Sequence, residues 1–193
     1  MTYMKRRTLL TAGFAAGLLL PTGSLFVAAG QARAEVTPAC GAATPEQTEG
    51  PYFTPNAPLK TDLHEPGMKG EQLRMAGRVL DSHCRPVSRA LLEVWQADAD
   101  GVYDNRGYRL RGHVFADEAG GWMIDTIRPG RYPGRTPHIH VKVKGPTTRL
   151  LTTQLYFPND PGNARDGIYD PRLLLQLEQR GEGLLGRYDF VLS

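Results

Sequence analysis

From residue 73 onward, apolar and polar positions alternate in short runs instead of recurring every third or fourth residue. The runs are LRMAGRVLD (73–81), ALLEVWQAD (90–98), GHVFADE (112–118), WMIDTI (122–127), HIHVKVK (138–144), LLTTQLYF (150–157) and YDFVL (188–192). Alternation with period two, rich in Val, Ile, Thr and aromatic residues, marks β-strands. The segments between them, such as DSHCRP, ADGVYDNRG, RPGRYPGRTP and PNDPGN, carry the Gly, Pro, Asn and Asp that turns require. Seven short strands at this spacing predict an all-β chain folded as an antiparallel β-sandwich over residues 71–193. In WMIDTI either face has enough apolar character to be partly covered.

Two segments depart from this rhythm. PRLLLQLEQR (171–180) predicts one short C-terminal helix, with Asp170 as cap, Pro171 at the first helical position and Gly181 as stop. Residues 35–70 hold TPAC, TPEQTEGPYFTPNAPLK and HEPGMKG, which predict a long ordered coil lying over the domain.

The first 34 residues read as an address. A basic start, an apolar run from Leu9 to Leu20 and QARA ending at Ala34 form an export signal cleaved after Ala34. Arg6-Arg7 followed by Thr-Leu-Leu resembles a twin-arginine signal, which implies a periplasmic or secreted protein with no stable membrane anchor after cleavage. The run is short for a membrane span and contains Thr11, Gly13 and Gly17.

This reading changes the charge argument. The whole chain has 23 basic and 20 acidic residues, but Lys5, Arg6, Arg7 and Arg33 belong to the signal, leaving 19 basic residues against 20 acidic. No basic face remains to bind nucleic acid. Two cysteines, Cys40 and Cys84, each in a loop of an exported protein, predict a disulfide.

The candidate chemistry lies in RYPGRTPHIHVKV (131–143). Residues i and i+2 of a strand share a face, so His138 and His140 present two imidazoles to one spot. That arrangement suits a metal, although the pair alone leaves packed histidines equally open. Tyr132 lies in the turn before this strand, and Tyr103 lies in another turn, GVYDN. His64, His83 and His113 sit in loops or at strand starts, and Trp95 and Trp122 read as core aromatics. The chain has neither a Gly-rich phosphate cradle after a strand nor a G-x-S-x-G elbow. A cupin is disfavoured because VKVKGPTT, after His140, offers no acidic ligand.

Taken together, TEGPYF (48–53), GRVLDSHCRPV (77–87), LLEVWQADADGVY (91–103), IRPGRYPGRTPHIH (127–140) and TQLYF (153–157) resemble the intradiol ring-cleavage dioxygenases, most closely the protocatechuate 3,4-dioxygenase type. The resemblance implies a sandwich holding a non-haem Fe(III) ion through Tyr103, Tyr132, His138 and His140, with Arg135 and Gln154 as active-site residues. It also implies a catecholic substrate and O2, opened between the two hydroxyls to a muconate-type dicarboxylic acid. Tyr132 would be the ligand displaced by substrate and would take up a proton. Where protocatechuate enzymes carry a bulky tryptophan after that tyrosine, this chain has Gly134, which implies a more open pocket. The helical N-terminal dimerisation domain of catechol 1,2-dioxygenases is missing, and neither a monomer nor a homo-oligomer is singled out. The alternative is a non-catalytic sandwich module of the same fold.

Overall fold

The computed structural model describes residues 41–193; the segment expected to be an export signal and Cys40 lie outside the described residues. Nine strands form two sheets: β1 (Gln72–Asp81), β2 (Leu91–Trp95), β3 (Arg111–Phe115), β4 (Gly121–Ile127), β5 (His138–Lys144), β6 (Leu151–Tyr156), β7 (Gln176–Arg180), β8 (Gly183–Arg187) and β9 (Phe190–Leu192). One sheet runs β4-β1-β8-β7, with β9 also on β1, and the other runs β3-β2-β5-β6. All seven alternating runs contain strands, and the all-β sandwich expected from them is what forms. It is not wholly antiparallel, however. β8 and β9 both lie parallel to β1 in one register, Ala76 opposite Arg187 and Val79 opposite Phe190.

The expected C-terminal helix does not form. Pro171–Leu173 makes a single 3-10 turn, and Gln176–Arg180 becomes β7. Leu173 and Leu175 are both buried, two residues apart, which is the spacing of a strand and not of a helix face. The Leu175 N–H donates to the Tyr156 carbonyl (2.9 Å), drawing this segment alongside the end of β6. Gly181, with φ 58°, begins the two-residue turn between β7 and β8 where a helix stop was expected. A sheet edge that offered backbone partners outweighed local helix propensity.

The sandwich core lies between the inner faces of the sheets. Leu73, Met75 and Val79 of β1 and Ile124 of β4 meet Leu92 and Val94 of β2 and Ile139, Val141 and Val143 of β5. In β4 the buried face is Trp122, Ile124 and Thr126, while Met123 is exposed. β5 is buried on both faces over its first four residues, because coil and loops cover its outer side as the sheet covers its inner side. Residues 41–70 contribute no strand, but the coil bonds to both sheets: Gln47 N–H to the Thr152 carbonyl (2.8 Å) and Leu63 N–H to the Asp125 carbonyl (2.7 Å). Cys84 is not a free thiol; Cys40, its expected partner, lies outside the described residues. Among the described residues no helix is long and apolar enough to cross a membrane.

Candidate active site

The outer face of the β3-β2-β5-β6 sheet is chemically unlike its inner face. Strand register sets Arg111, Trp95, His140 and Gln154 side by side across four strands, and places Tyr156 opposite His138 in the next row. Period-two alternation makes this possible. Every residue that carries chemistry on β5 is one position from a core residue, with Ile139 between the two histidines.

Two loops above this face bring in the tyrosines. Tyr103 follows β2 and Tyr132 follows β4, and their loops touch backbone to backbone. The Gly130 N–H donates to the Asp98 carbonyl at 2.8 Å. A Cβ on Gly101 would stand 2.0 Å from the Arg131 carbonyl oxygen, and one on Gly130 would stand 2.2 Å from that of Ala99. Only glycine permits so close an approach. The two phenol rings consequently lie edge to face at 6.0 Å, and the Tyr132 ring is 6.1 Å from that of His138.

The histidines converge below them. His138 Nε2 and His140 Nε2 are 3.1 Å apart, and Tyr103 Oη is 3.5 Å from His138 Nε2. His138 donates from Nδ1 to the Thr136 carbonyl (2.7 Å), which leaves the lone pair on Nε2. His140 stacks on Trp95 at 4.8 Å with 9° between the planes. Its Nδ1 is buried without a hydrogen-bond partner among the described residues. Burial pushes His138 down to about 4 and His140 well below its ordinary value, so both rings are neutral donors near pH 7. Burial also raises the Tyr103 phenol above its ordinary value, so the phenolate needs a neighbouring cation.

These atoms fit one metal ion. Two nitrogens about 2.1 Å from a common cation, at a right angle, would stand about 3.0 Å apart, close to the separation found here. Among the described residues no three His, Cys, Asp or Glu side chains converge. Any further protein donors in this donor set would be the phenol oxygens.

Beside the histidines lies a polar cluster. Arg135 donates from Nη2 to Gln154 Oε1 (2.6 Å) and from Nε to Asp166 Oδ2 (2.9 Å). Gln154 donates to the Thr48 carbonyl (2.9 Å), and the single Tyr156 O–H has three acceptors within reach, Gln47 Oε1, Gln154 Oε1 and the Ile168 carbonyl, at 3.1–3.2 Å. Burial alone would weaken the Arg135 charge, but the bond to Asp166 raises its pKa above the ordinary value. The coil forms the remaining wall. Tyr52 stacks on Tyr103 at 4.5 Å, Phe53 meets Trp95 edge-on at 4.9 Å, and Gly50 lies against His140. Glu49 pairs with Lys142, whose ammonium lies 3.3 Å from the centre of the Phe53 ring.

The model of the family described as Dioxygenase matches residues 48–193. The protocatechuate 3,4-dioxygenase beta chain of Burkholderia cepacia is 33% identical over 169 residues, covering 70% of this chain and 72% of that one. The chain is a member of the intradiol ring-cleavage dioxygenases. Among solved structures, the dioxygenase domain of a dioxygenase carbohydrate-binding protein fusion from Streptomyces sp. SirexAA-E is 46% identical. It superposes with a TM-score of 0.77, over 79% of this chain and 99% of that one. The 3-chlorocatechol 1,2-dioxygenase of Rhodococcus opacus 1CP is 30% identical with a TM-score of 0.72, over 80% and 75%. The chain spans only 58% of the chlorocatechol 1,2-dioxygenase of Rhodococcus opacus at 31% identity.

In this intradiol dioxygenase all six expected site residues lie at one place, above and on the outer face of a single sheet. Tyr52 of the TEGPYF motif stacks directly on Tyr103. Glu49 anchors the coil. Sequence reasoning missed Asp166, Thr136, Gln47 and Arg111. Arg111 is almost fully buried and donates from Nε and Nη2 to the Asp104 carbonyl (3.0 and 2.8 Å), fixing the turn just after Tyr103. The one signal for Arg111 is an arginine at the head of the GHVFADE run; its ladder neighbour Trp95 lies on the same outer face. Asp166 gave none, because an acid in a Gly/Asn-rich loop ordinarily faces water.

Proposed function

We propose that the protein is a non-haem Fe(III)-dependent intradiol dioxygenase. It would cleave a catecholic ring between its two hydroxyls with O2, giving a muconate-type dicarboxylic acid. Both atoms of O2 enter the product, so no external reductant is needed. The observation that carries this reading is the convergence of His138 Nε2, His140 Nε2 and Tyr103 Oη beside a half-buried arginine. Tyr103, Tyr132, His138 and His140 would hold the ion. When bound, the ferric ion supplies a Lewis acid that draws electron density from the coordinated catecholate and leaves the ring reactive toward O2.

The side chains divide the remaining work. Tyr103 is 7% exposed under the Tyr52 ring and stays in place, whereas Tyr132 is only half-buried. Tyr132 would therefore be the side chain that gives way to substrate, its phenolate oxygen taking up a catechol proton. Arg135 keeps a fixed positive charge beside the ring, where negative charge develops during oxygen attack and ring opening. Gln154 is held by the Thr48 carbonyl and keeps Nη2 of Arg135 in place through its Oε1. Trp95, stacked on His140, and Phe53 exclude water from the far side.

A Cβ on Gly134 would meet nothing within 4 Å, which supports room for a catechol with a bulky substituent. The protein would act outside the cytoplasm after twin-arginine export, on a catechol met there, with Cys40 and Cys84 joined in a disulfide.

The test is direct. Purified protein loaded with iron should be red-brown, take up O2 with members of a catechol panel, and release products heavier by two oxygen atoms with the ring opened between the hydroxyls. Tyr103→Phe should lose part of the colour and much of the turnover. A colourless protein that binds no transition metal and consumes no O2 with any catechol overturns the reading.

A further inference from the structure

The Asp166 carboxylate is among the most deeply buried charges described, with its side chain 1% exposed. It lies between the two 3-10 turns, Asn163–Arg165 and Pro171–Leu173, outside every strand. Its Oδ2 accepts from Arg135 Nε (2.9 Å) and from the backbone N–H of Thr136 (3.0 Å), and its Oδ1 accepts from the Ile168 N–H (3.2 Å). Thr136 is held from a second side as well. Its hydroxyl donates to Asn163 Oδ1 (2.7 Å), and Asn163 Nδ2 donates to the Phe157 carbonyl (2.9 Å). The carbonyl of Thr136 in turn accepts from His138 Nδ1.

One carboxylate oxygen thus ties together a cation and a backbone amide that serve different parts of the site. We propose that Asp166 is a positioning residue with two outputs: it aims the Arg135 guanidinium across the substrate site, and through Thr136 it locks His138 with its proton on Nδ1 and Nε2 turned inward. This rests on the dioxygenase reading for its catalytic output alone. The geometric output belongs to the protein whatever it catalyses. An acid is needed because donors reach both of its oxygens, Arg135 and Thr136 at Oδ2 and Ile168 at Oδ1, and because its charge faces the guanidinium. An asparagine in its place can accept only through its one oxygen, and its NH2 would face donors.

The test uses the full chain as Asp166→Asn, Arg135→Met and the double variant. Thermal unfolding identifies variants that fold, and Asp166→Ser serves if Asp166→Asn does not. In metal-free protein, nitrogen-resolved NMR should show a protected Arg135 Nε–H and a single His138 tautomer in the wild type. In Asp166→Asn that Nε–H should exchange rapidly and the His138 signals should shift toward mixed tautomers. In iron-loaded protein, Asp166→Asn should lower kcat roughly tenfold with little change in KM, the scale of losing a residue that orients a ligand. In the Arg135→Met background the same change should alter kcat less than twofold, while the His138 tautomer shift caused by Asp166→Asn should persist.

Unchanged Arg135 and His138 signals in folded Asp166→Asn overturn the proposal, as does an equal kcat loss with and without Arg135. If the wild type neither holds iron nor consumes O2 while both NMR signatures respond as expected, the dioxygenase reading fails and the positioning role stands.

Discussion

Ile139 and His138 are adjacent on β5, yet they belong to two regions built on opposite principles. The inner face packs Ile139 among Val94, Val141 and Leu155, where any well-fitting apolar side chain serves. The outer face holds His138 by one hydrogen bond to one carbonyl, and its small apolar cluster consists only of Trp95, Ala97 and Tyr103, with Tyr52, Phe53 and Tyr132 packed against them. The core is redundant, since many contacts share the load. The site depends on single contacts, each specified by one donor and one acceptor. Stability and activity should therefore separate when the two faces of this strand are perturbed in turn.

The largest expected effect is that separation. Ile139→Ala removes fully buried methyl groups and should cost about 2–5 kcal/mol of stability, with oxygen uptake per folded molecule preserved. His138→Ala should abolish oxygen uptake and iron retention at a much smaller cost in stability. Thermal unfolding and oxygen-electrode rates on both variants check this. Equal loss of both properties in both variants would mean that the two faces are not independent.

An intermediate effect sharpens the comparison at the loops. Gly101→Ala forces a Cβ toward the Arg131 carbonyl and should part the loops of Tyr103 and Tyr132. Overpacking of this kind costs about 1–3 kcal/mol. Here the strain falls on the site, so iron affinity should drop by more than the unfolding temperature suggests. Metal titration against the melting curve reads the difference.

The smallest effect is on acid stability. Burial alone would raise the Asp166 carboxyl, but the Thr136 amide and Arg135 hold it below its ordinary value. The unfolded chain then takes up this proton at higher pH than the folded one. The stabilisation is complete above about pH 4 and is lost as pH falls through the folded-state value. The melting temperature should fall less steeply below pH 4 in Asp166→Asn than in the wild type.

The same contrast explains what was legible from residues alone. The inner face is written locally: alternation in HIHVKVK names both strand and buried side, while in WMIDTI it names the strand and leaves the face open. PRLLLQLEQR misled because its leucines suit either period, and the deciding partner, the Tyr156 carbonyl, lies outside the segment. His138, His140, Tyr103, Tyr132, Arg135 and Gln154 were found through motifs. Asp166 was not, because what makes it matter is a bond to a guanidinium 31 positions earlier that nothing in its own loop marks; Arg111 was not, because its bond to the Asp104 carbonyl exists only once the turn after Tyr103 has closed.

The parallel ladder on β1 has a consequence for how the chain reaches this state. Arg78 gives its N–H to the side chain of Asp189, a residue 111 positions later, and β8 and β9 pair along the same edge. So high a contact order makes for slow folding. Until the last hairpin arrives, that edge of β1 presents unpaired amides to any other ribbon nearby, so newly made chains are most exposed to cross-molecule pairing just before the sheet is sealed.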